Sequence, residues 1–459
     1  MMADRLLHAA GVVAEECISG SLDLFSKPYM ETAIDNCYFS EHHPNNAITD
    51  SSNSVVMNIH GSEDLTDLSE SVVQVRCKIT KANGGKLDAF AAPTGTPASG
   101  TSVGFIQMPL TSLFSSLVFR LNDQLLSDSF STYPYLSYFQ TILNFSGDAR
   151  KSRLQLLGFY EDENPNVTAA HAEASASGFK TRANLTAESK EATFMGPIFH
   201  GLFSQTRYLL PLIPISLEWI KAPASFVMKS NTVSADYKYN ILGMTLFLKR
   251  IRIKSSYKLE LEDRLAKENA LYPLRHAYCR PFFIDAAEKS ASFENIFNSR
   301  TIPAYCSVAL VTQTAYRGSF TESPFQFGHF SLTSLKISID GNIYPSPMPF
   351  QPNYDSTTAP NWTREYLALQ DNQIKVDGGN FISYEAFKNA GFAFYVFHFG
   401  RETSLANDHT SPKRTGSARL DVSFAAASTN PALTLLLYAE SDEILGITNQ
   451  RAIERDYHL

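Results

Sequence analysis

The chain has 459 residues, of which 44% are apolar, 12% aromatic and only 19% charged, and its formal net charge is −7. This length suits two or three domains of roughly 150 residues each. An acidic, charge-poor chain argues against a protein whose main work is coating phosphates, which needs a basic footprint, while 32 Phe and 21 Tyr point to strands and to large surfaces buried between subunits.

In chain order, residues 3–18 come first. Leu6, Leu7, Ala10, Val13, Ala14 and Cys17 fall on one face at helical spacing, so the segment reads as an amphipathic helix. Such a helix packs on its own domain or docks on a neighbour or a membrane. Asp4, Arg5, Glu15 and Glu16 do not suit a signal peptide. Period-two segments follow. Val73, Val75, Cys77 and Ile79 alternate with Gln74, Arg76 and Lys78, and Leu117, Phe119 and Leu121 alternate with Val118, Arg120 and Asn122. Each is a strand with one buried face. Asn122-Asp123 supplies a turn that tolerates positive φ. The best helical stripe is Tyr135, Leu136, Phe139, Ile142 and Leu143.

Residues 147–195 are rich in Ala, Ser, Asn, Glu and Lys and read as a long excursion from the first β unit. The run Leu209–Ile220 is broken by Pro211, Pro214 and Glu218, so it is not a membrane span. Arg250, Arg252 and Lys254 alternate with Ile251 and Ile253, and this basic stretch reads as the solvated face of a strand rather than a nucleic-acid site. Residues 255–275 are charged and form the candidate linker. Beyond them Leu335, Ile337 and Ile339, then Leu420, Val422 and Phe424, mark further half-buried strands, with Asp340-Gly341 as a second turn.

The two halves echo each other. Leu110-Thr111-Ser112-Leu113 leads into the strand at 117–121 and the Asn-Asp turn, and Leu332-Thr333-Ser334-Leu335 leads into the strand at 335–339 and the Asp-Gly turn. A Tyr-rich segment follows each, Tyr133–Leu136 and Arg364–Leu367. Two similar β-sandwiches in tandem are expected.

Chemistry-bearing motifs are weak. Gly100-Thr101-Ser102-Val103-Gly104 matches G-x-S-x-G, but that elbow needs a strand before it and a helix after it, and here a Gly/Pro/Thr/Ser run precedes a strand. His171-Ala172-Glu173 lacks the P-C-x-x-C partner of a zinc deaminase. His42 and His43 read as a solvated loop, and Glu161-Asp162-Glu163 as a solvated turn. The cysteines, Cys17, Cys37, Cys77, Cys279 and Cys306, are odd in number, widely spaced and without C-x-x-C. That is the pattern of buried free thiols in a reducing compartment. The sequons at Asn144, Asn166, Asn184 and Asn361 read as chance matches. No catalytic, cofactor-binding or metal-ligating residue is expected, and the chain reads as not an enzyme. An enzyme on a jelly-roll scaffold, such as a metal-dependent cupin, needs inward His and Glu, for which the chain offers only the scattered His329 and His398. A non-enzymatic β-sandwich that binds a receptor or carbohydrate stands as the alternative.

The order of several pieces resembles the double jelly-roll major capsid proteins of Polinton-like viruses and adintoviruses, including their copies in animal genomes. The pieces are Glu16-Cys17 with Leu22–Phe25, Asp64–Leu68 with Cys77-Lys78-Ile79, Leu113–Ser116 with Leu121-Asn122, and Tyr133-Pro134-Tyr135. The second half adds Ala315–Ser319, Pro324–Phe327, Leu335–Gly341, Arg419–Phe424, Leu435–Glu440 and Arg451–Tyr457. The resemblance implies an all-β fold of two tandem eight-stranded jelly-roll β-sandwiches with short helices and long loops. Residues 1–48 would be an N-terminal helix and arm, 49–254 the first jelly roll with its excursion 147–195 as a tower, 255–275 the linker and 276–459 the second jelly roll. It implies pseudo-hexagonal homotrimeric capsomers of an icosahedral double-stranded DNA virus. The expected partners are the chain itself, neighbouring capsomers, and penton and minor capsid proteins. Sequence-specific nucleic acid is not among them, and membrane contact is left open. The place is the virion, and the chain is made inside the host cell and not secreted.

Overall fold

The period-two segments form strands whose buried faces are the ones the alternation marks. Val73, Val75, Cys77 and Ile79 are at most 4% exposed, whereas Arg76 between them is exposed. The computed structural model describes residues 30–87, 103–127, 130–145, 147–162, 165–166, 177–230, 237–345, 347–371, 381–399, 413–425 and 431–455. The expected helix 3–18 lies outside them.

The first half contains β1 (Ile34–His42), β2 (Ser54–Ile59), β3 (Leu65–Lys81), β4 (Val103–Phe105), β5 (Phe114–Leu121), β6 (Gln124–Leu125), β7 (Ala192–Pro197), β8 (Ile215–Lys221), β9 (Met228–Ser230) and β10 (Tyr237–Ile253). The second contains β11 (Ala270–Ile284), β12 (Ser290–Glu294), β13 (Tyr305–Thr312), β14 (Leu332–Ile339), β15 (Asn342–Tyr344), β16 (Tyr395–His398), β17 (Ala418–Phe424), β18 (Leu433–Ile447) and β19 (Ile453–Glu454). Four helices matter here: α1 (Tyr133–Asn144), α2 (Ser177–Leu185), α3 (Ser255–Leu265) and α4 (Thr363–Asp371).

The sheet orders are β1-β10-β3-β7 and β2-β8-β5-β6 in the first half, and β11-β18-β13-β16 and β12-β17-β14-β15 in the second. The second pair repeats the first strand for strand. Each half is an eight-stranded jelly roll, and every ladder is antiparallel. The tandem repeat read from the echo is therefore present. The two echoed strands, β5 and β14, hold the same place in their sheets. Locally they differ, because Pro109–Ser112 makes one helical turn before β5 whereas β14 begins at Leu332 itself. Both two-residue turns have positive φ, 44° and 65° at Asn122 and Asp123 and 48° and 87° at Asp340 and Gly341, the mirror-image geometry that matches hairpin twist.

Successive strands of a jelly roll alternate in direction, so its connections alternate between two ends. One end of the first roll receives the connections after β1, β3, β6 and β8, among them α1 and the excursion. The matching end of the second roll carries 313–331 and α4. These ends meet, with the Ser230 amide donating to Phe320 O at 2.7 Å and Tyr138 stacked on Phe325 at 4.4 Å. At the opposite end lie the two short turns, the linker helix α3 and the chain after β18. There Arg451 pairs with Glu262 of α3 at 2.6 Å, and its carbonyl accepts from Asn122. β1 falls within the segment 1–48 and pairs with β10 along its length. β7 forms the end of the excursion and pairs with β3.

Candidate functional site

The residues that could carry chemistry are dispersed and mostly satisfied. Among the described residues no three His, Cys, Asp or Glu come close enough to hold a metal ion. Cys77, Cys279 and Cys306 are free and buried, and burial pushes the thiols of all three upward. Cys37 departs from the buried-thiol reading: it is exposed on β1. Cys17, Ser102, Glu163, His171 and Glu173 lie outside the described residues. His42 is not in a loop but ends β1, where its ring meets Ser40 Oγ at 3.0 Å. Burial, then the charge of Arg250 and the neighbouring His43, hold its pKa below the usual value. His329 stacks on Tyr354 at 4.2 Å, while His398 ends β16 beside Tyr305.

The basic stretch is not simply a solvated face. Arg250 is 5% exposed and donates to Ser40 Oγ and Thr66 Oγ1, at 3.2 and 2.5 Å. Lys249 pairs with Glu70 and Asp67, and Arg252 with Asp64. These acids lie in and just before the start of β3, laid against β10 by the sheet. Their distance in sequence hides the pairing. Three carboxylates thus offset part of the cationic run, and Arg250 is committed to hydroxyls within the sheet.

The acidic run at 161–162 is likewise half buried. Glu161 is exposed, but Asp162 is 3% exposed and pairs at 2.5 Å with Arg182 of α2, itself 1% exposed. Arg182 also donates to Phe105 O and Tyr160 O, and Gln107 donates to Tyr160 O. This buried polar knot ties the excursion to the ribbon of β4 and β9. α2 sits so close to that ribbon that a Cβ on Gly104 would lie 2.8 Å from Ala183 Cβ. The last glycine of the G-x-S-x-G match therefore serves packing. Lys229 of β9 is 1% exposed; its ammonium donates to Pro165 O and lies over the Phe179 ring. Desolvation lowers its pKa to about 7, with Asp162 opposing and Arg182 adding to the fall. A folded-state value below the unfolded one of roughly 10.4 means that the unfolded chain holds the extra proton in between. Stability of this region thus rises as pH rises from about 7 towards 10 and is lowest below that window. Melting temperature measured against pH should show this slope in the natural chain and lose it in Lys229→Met.

The joint between the rolls is a packed, buried surface. α1 belongs to the first roll, yet its Phe139 stacks on Tyr438 of β18 at 5.2 Å and packs on Phe394 and Phe327. Thr132, just before α1, donates to Cys279 O of β11 at 2.8 Å. Gly201 approaches β11 so closely that a Cβ there would lie 2.1 Å from Arg275 O. Buried apolar side chains of both rolls consequently form one continuous core.

No protein-family model matches the chain. It is 24% identical over 375 residues to an uncharacterized protein of Caenorhabditis elegans, covering 79% of this chain and 85% of that one. Solved structures share the fold far beyond sequence. A chain of the Sputnik virophage superposes with a TM-score of 0.65 at 12% identity, over 97% of this chain and 94% of that one. The capsid of the virus PBCV-1 gives 0.56 at 13% identity, over 95% and 100%. The mavirus major capsid protein gives 0.54 at 11% identity, over 97% of this chain and 96% of that one. The chain thus has the double jelly-roll architecture found in viral major capsid proteins. The likeness spans both rolls and the joint between them, not one sandwich alone.

Proposed function

We propose that the chain is a major capsid protein, a non-catalytic building block that tiles a viral shell. The observation that carries this reading is the strand-for-strand doubling of the jelly roll, with likeness to capsid subunits along nearly the whole chain. Two similar rolls fused side by side make one third of a pseudo-hexagon, so three chains supply six rolls. Homotrimeric capsomers of this kind would tile an icosahedral shell around double-stranded DNA, meeting neighbouring capsomers and penton and minor capsid proteins. The excursion of the first roll would crown one end of the capsomer, and the virion would be its place. The resemblance read from the sequence points to a Polinton-like virus or adintovirus, and a relative in a nematode suits an element carried in an animal genome. Expressed alone and viewed in negative stain, the chain should give particles or trimers with a pseudo-hexagonal outline. A well-folded monomer at high concentration overturns the reading, and with it the domain division 1–48, 49–254, 255–275 and 276–459 as parts of a capsomer.

A further inference from the structure

α2 is held over the β4-β9 ribbon by little apolar contact. Phe179 and Ala183 form a buried apolar cluster of their own, separate from the core that joins the two rolls. The rest of the seal is polar. Arg182 pairs with Asp162 and donates to Phe105 O at 3.0 Å and Tyr160 O at 2.6 Å. A Cβ on Gly104 would lie 2.9 Å from Ala183 Cα, so the helix rests directly on the ribbon. Two small apolar contacts hold a segment weakly, and local opening is drawn from such regions. Beyond α2 the chain passes through Glu188 and Ser189, with φ of 58° and 60°. Left-handed backbone at two consecutive non-glycine residues is strained, and it marks a hinge between α2 and β7.

Lifting α2 changes the surroundings of one charged group above all. Lys229 of β9 is 1% exposed, and Phe179 of α2 supplies the ring over its ammonium. Among the described residues, the charged groups that face it are Asp162 of the excursion and Arg182 of α2. β4 brings none, and Glu161 beside Asp162 is exposed. Tyr138 of α1 stays neutral, because burial pushes its hydroxyl pKa up. Glu322, from the second-roll segment that meets Ser230, is turned to Thr312 Oγ1 at 2.6 Å. A protonated Lys229 therefore adds a second cation to a dry knot whose described carboxylate is Asp162 alone, which is costly. With α2 lifted, that ammonium meets water and keeps its proton.

We propose that α2 is a proton-operated lid: a proton taken up by Lys229 lifts it from the β4-β9 ribbon about the Glu188-Ser189 hinge, while both sandwiches stay folded. The direction follows from linkage. With the lid closed Lys229 has a pKa of about 7, and with it open the value returns to roughly 10.4. The open form holds the extra proton between these values. Opening therefore grows about tenfold for each unit that pH falls through this window and levels off below it, so a fall from pH 8 to pH 6 raises it roughly tenfold. Opening also releases the Lys229 contact to Pro165 O. The next residue, Asn166, accepts from Ser323 N at 2.9 Å, so the excursion's tie to the second roll loosens with the lid. The lid is a property of the single chain. On the capsid reading it sits on the excursion that crowns the capsomer, and a shell passing into a more acidic medium would loosen that end first.

The test is hydrogen exchange read by mass spectrometry on the full chain, corrected for the intrinsic pH dependence of exchange. Peptides covering α2 should exchange by local opening, faster than peptides of β18. Their opening constant should rise roughly tenfold from pH 8 to pH 6, a step that β18 does not share. Lys229→Met should keep the lid shut and remove the step. Gly104→Ala forces α2 off the ribbon without touching a titrating group, so it should raise opening at both pH values and keep the step. Peptides of α2 that exchange no faster than β18 overturn the lid. Opening that is equal at pH 8 and pH 6 in the natural chain, that β18 matches, or that keeps its step in Lys229→Met overturns the control by Lys229. Should Lys229→Met not fold, the natural chain and Gly104→Ala still decide, since a step missing from either overturns the proposal.

Discussion

Replacing Phe139 by Ala should lower stability by about 3–5 kcal/mol and uncouple the two halves, so that one calorimetric transition becomes two. Phe139 has no exposed surface. Its chain neighbours belong to the first roll, but its ring partners Phe327, Phe394 and Tyr438 belong to the second. Truncation therefore opens a cavity in the joint and not within either sandwich, and neither roll can collapse into it without breaking its own sheet. Aromatic pairs also contribute roughly 0.5–1.5 kcal/mol beyond burial, and three such contacts vanish together. Phe139→Leu keeps most of the volume and should cost about 1–2 kcal/mol with a single transition retained. A Phe139→Ala protein that melts in one transition, less than about 1 kcal/mol weaker than its parent, would show that the rolls are held by something other than α1.

Alternation reveals strands that are wet on one face and dry on the other, which is why β3, β5, β14 and β17 were legible, along with their turns and the stripe of α1. It does not reveal strands that are dry on both faces. The run Leu433–Ala439 of β18 is buried throughout, core on one side and the first roll on the other, and so reads as an unbroken apolar stretch. The joint was invisible for the same reason, since a face covered by another domain looks in sequence like any core. Ion pairs were misjudged where the partner is distant along the chain. Arg252 meets Asp64 across 188 positions, and Asp162 meets Arg182 across 20; neither spacing has a periodic signature.

Arg182→Ala should destabilise the excursion end of the first roll by about 3–5 kcal/mol, the usual consequence of leaving one member of a buried ion pair without its partner. Asp162 would stay 3% exposed with its charge uncompensated, and the carbonyls of Phe105 and Tyr160 would lose their guanidinium donors. Arg182→Met combined with Asp162→Asn should recover much of this, because the buried charges leave together while the chain volume stays. Limited proteolysis within 147–195, read beside the melting curve, separates local opening from global unfolding: the single variant should be cut early and the double variant late. The same substitution reaches Lys229. Arg182 helps hold the Lys229 pKa down to about 7, so removing it lets that ammonium keep its proton to higher pH. The rise of stability with pH should then begin above pH 7 in Arg182→Ala, whereas a purely steric defect would leave its onset unchanged.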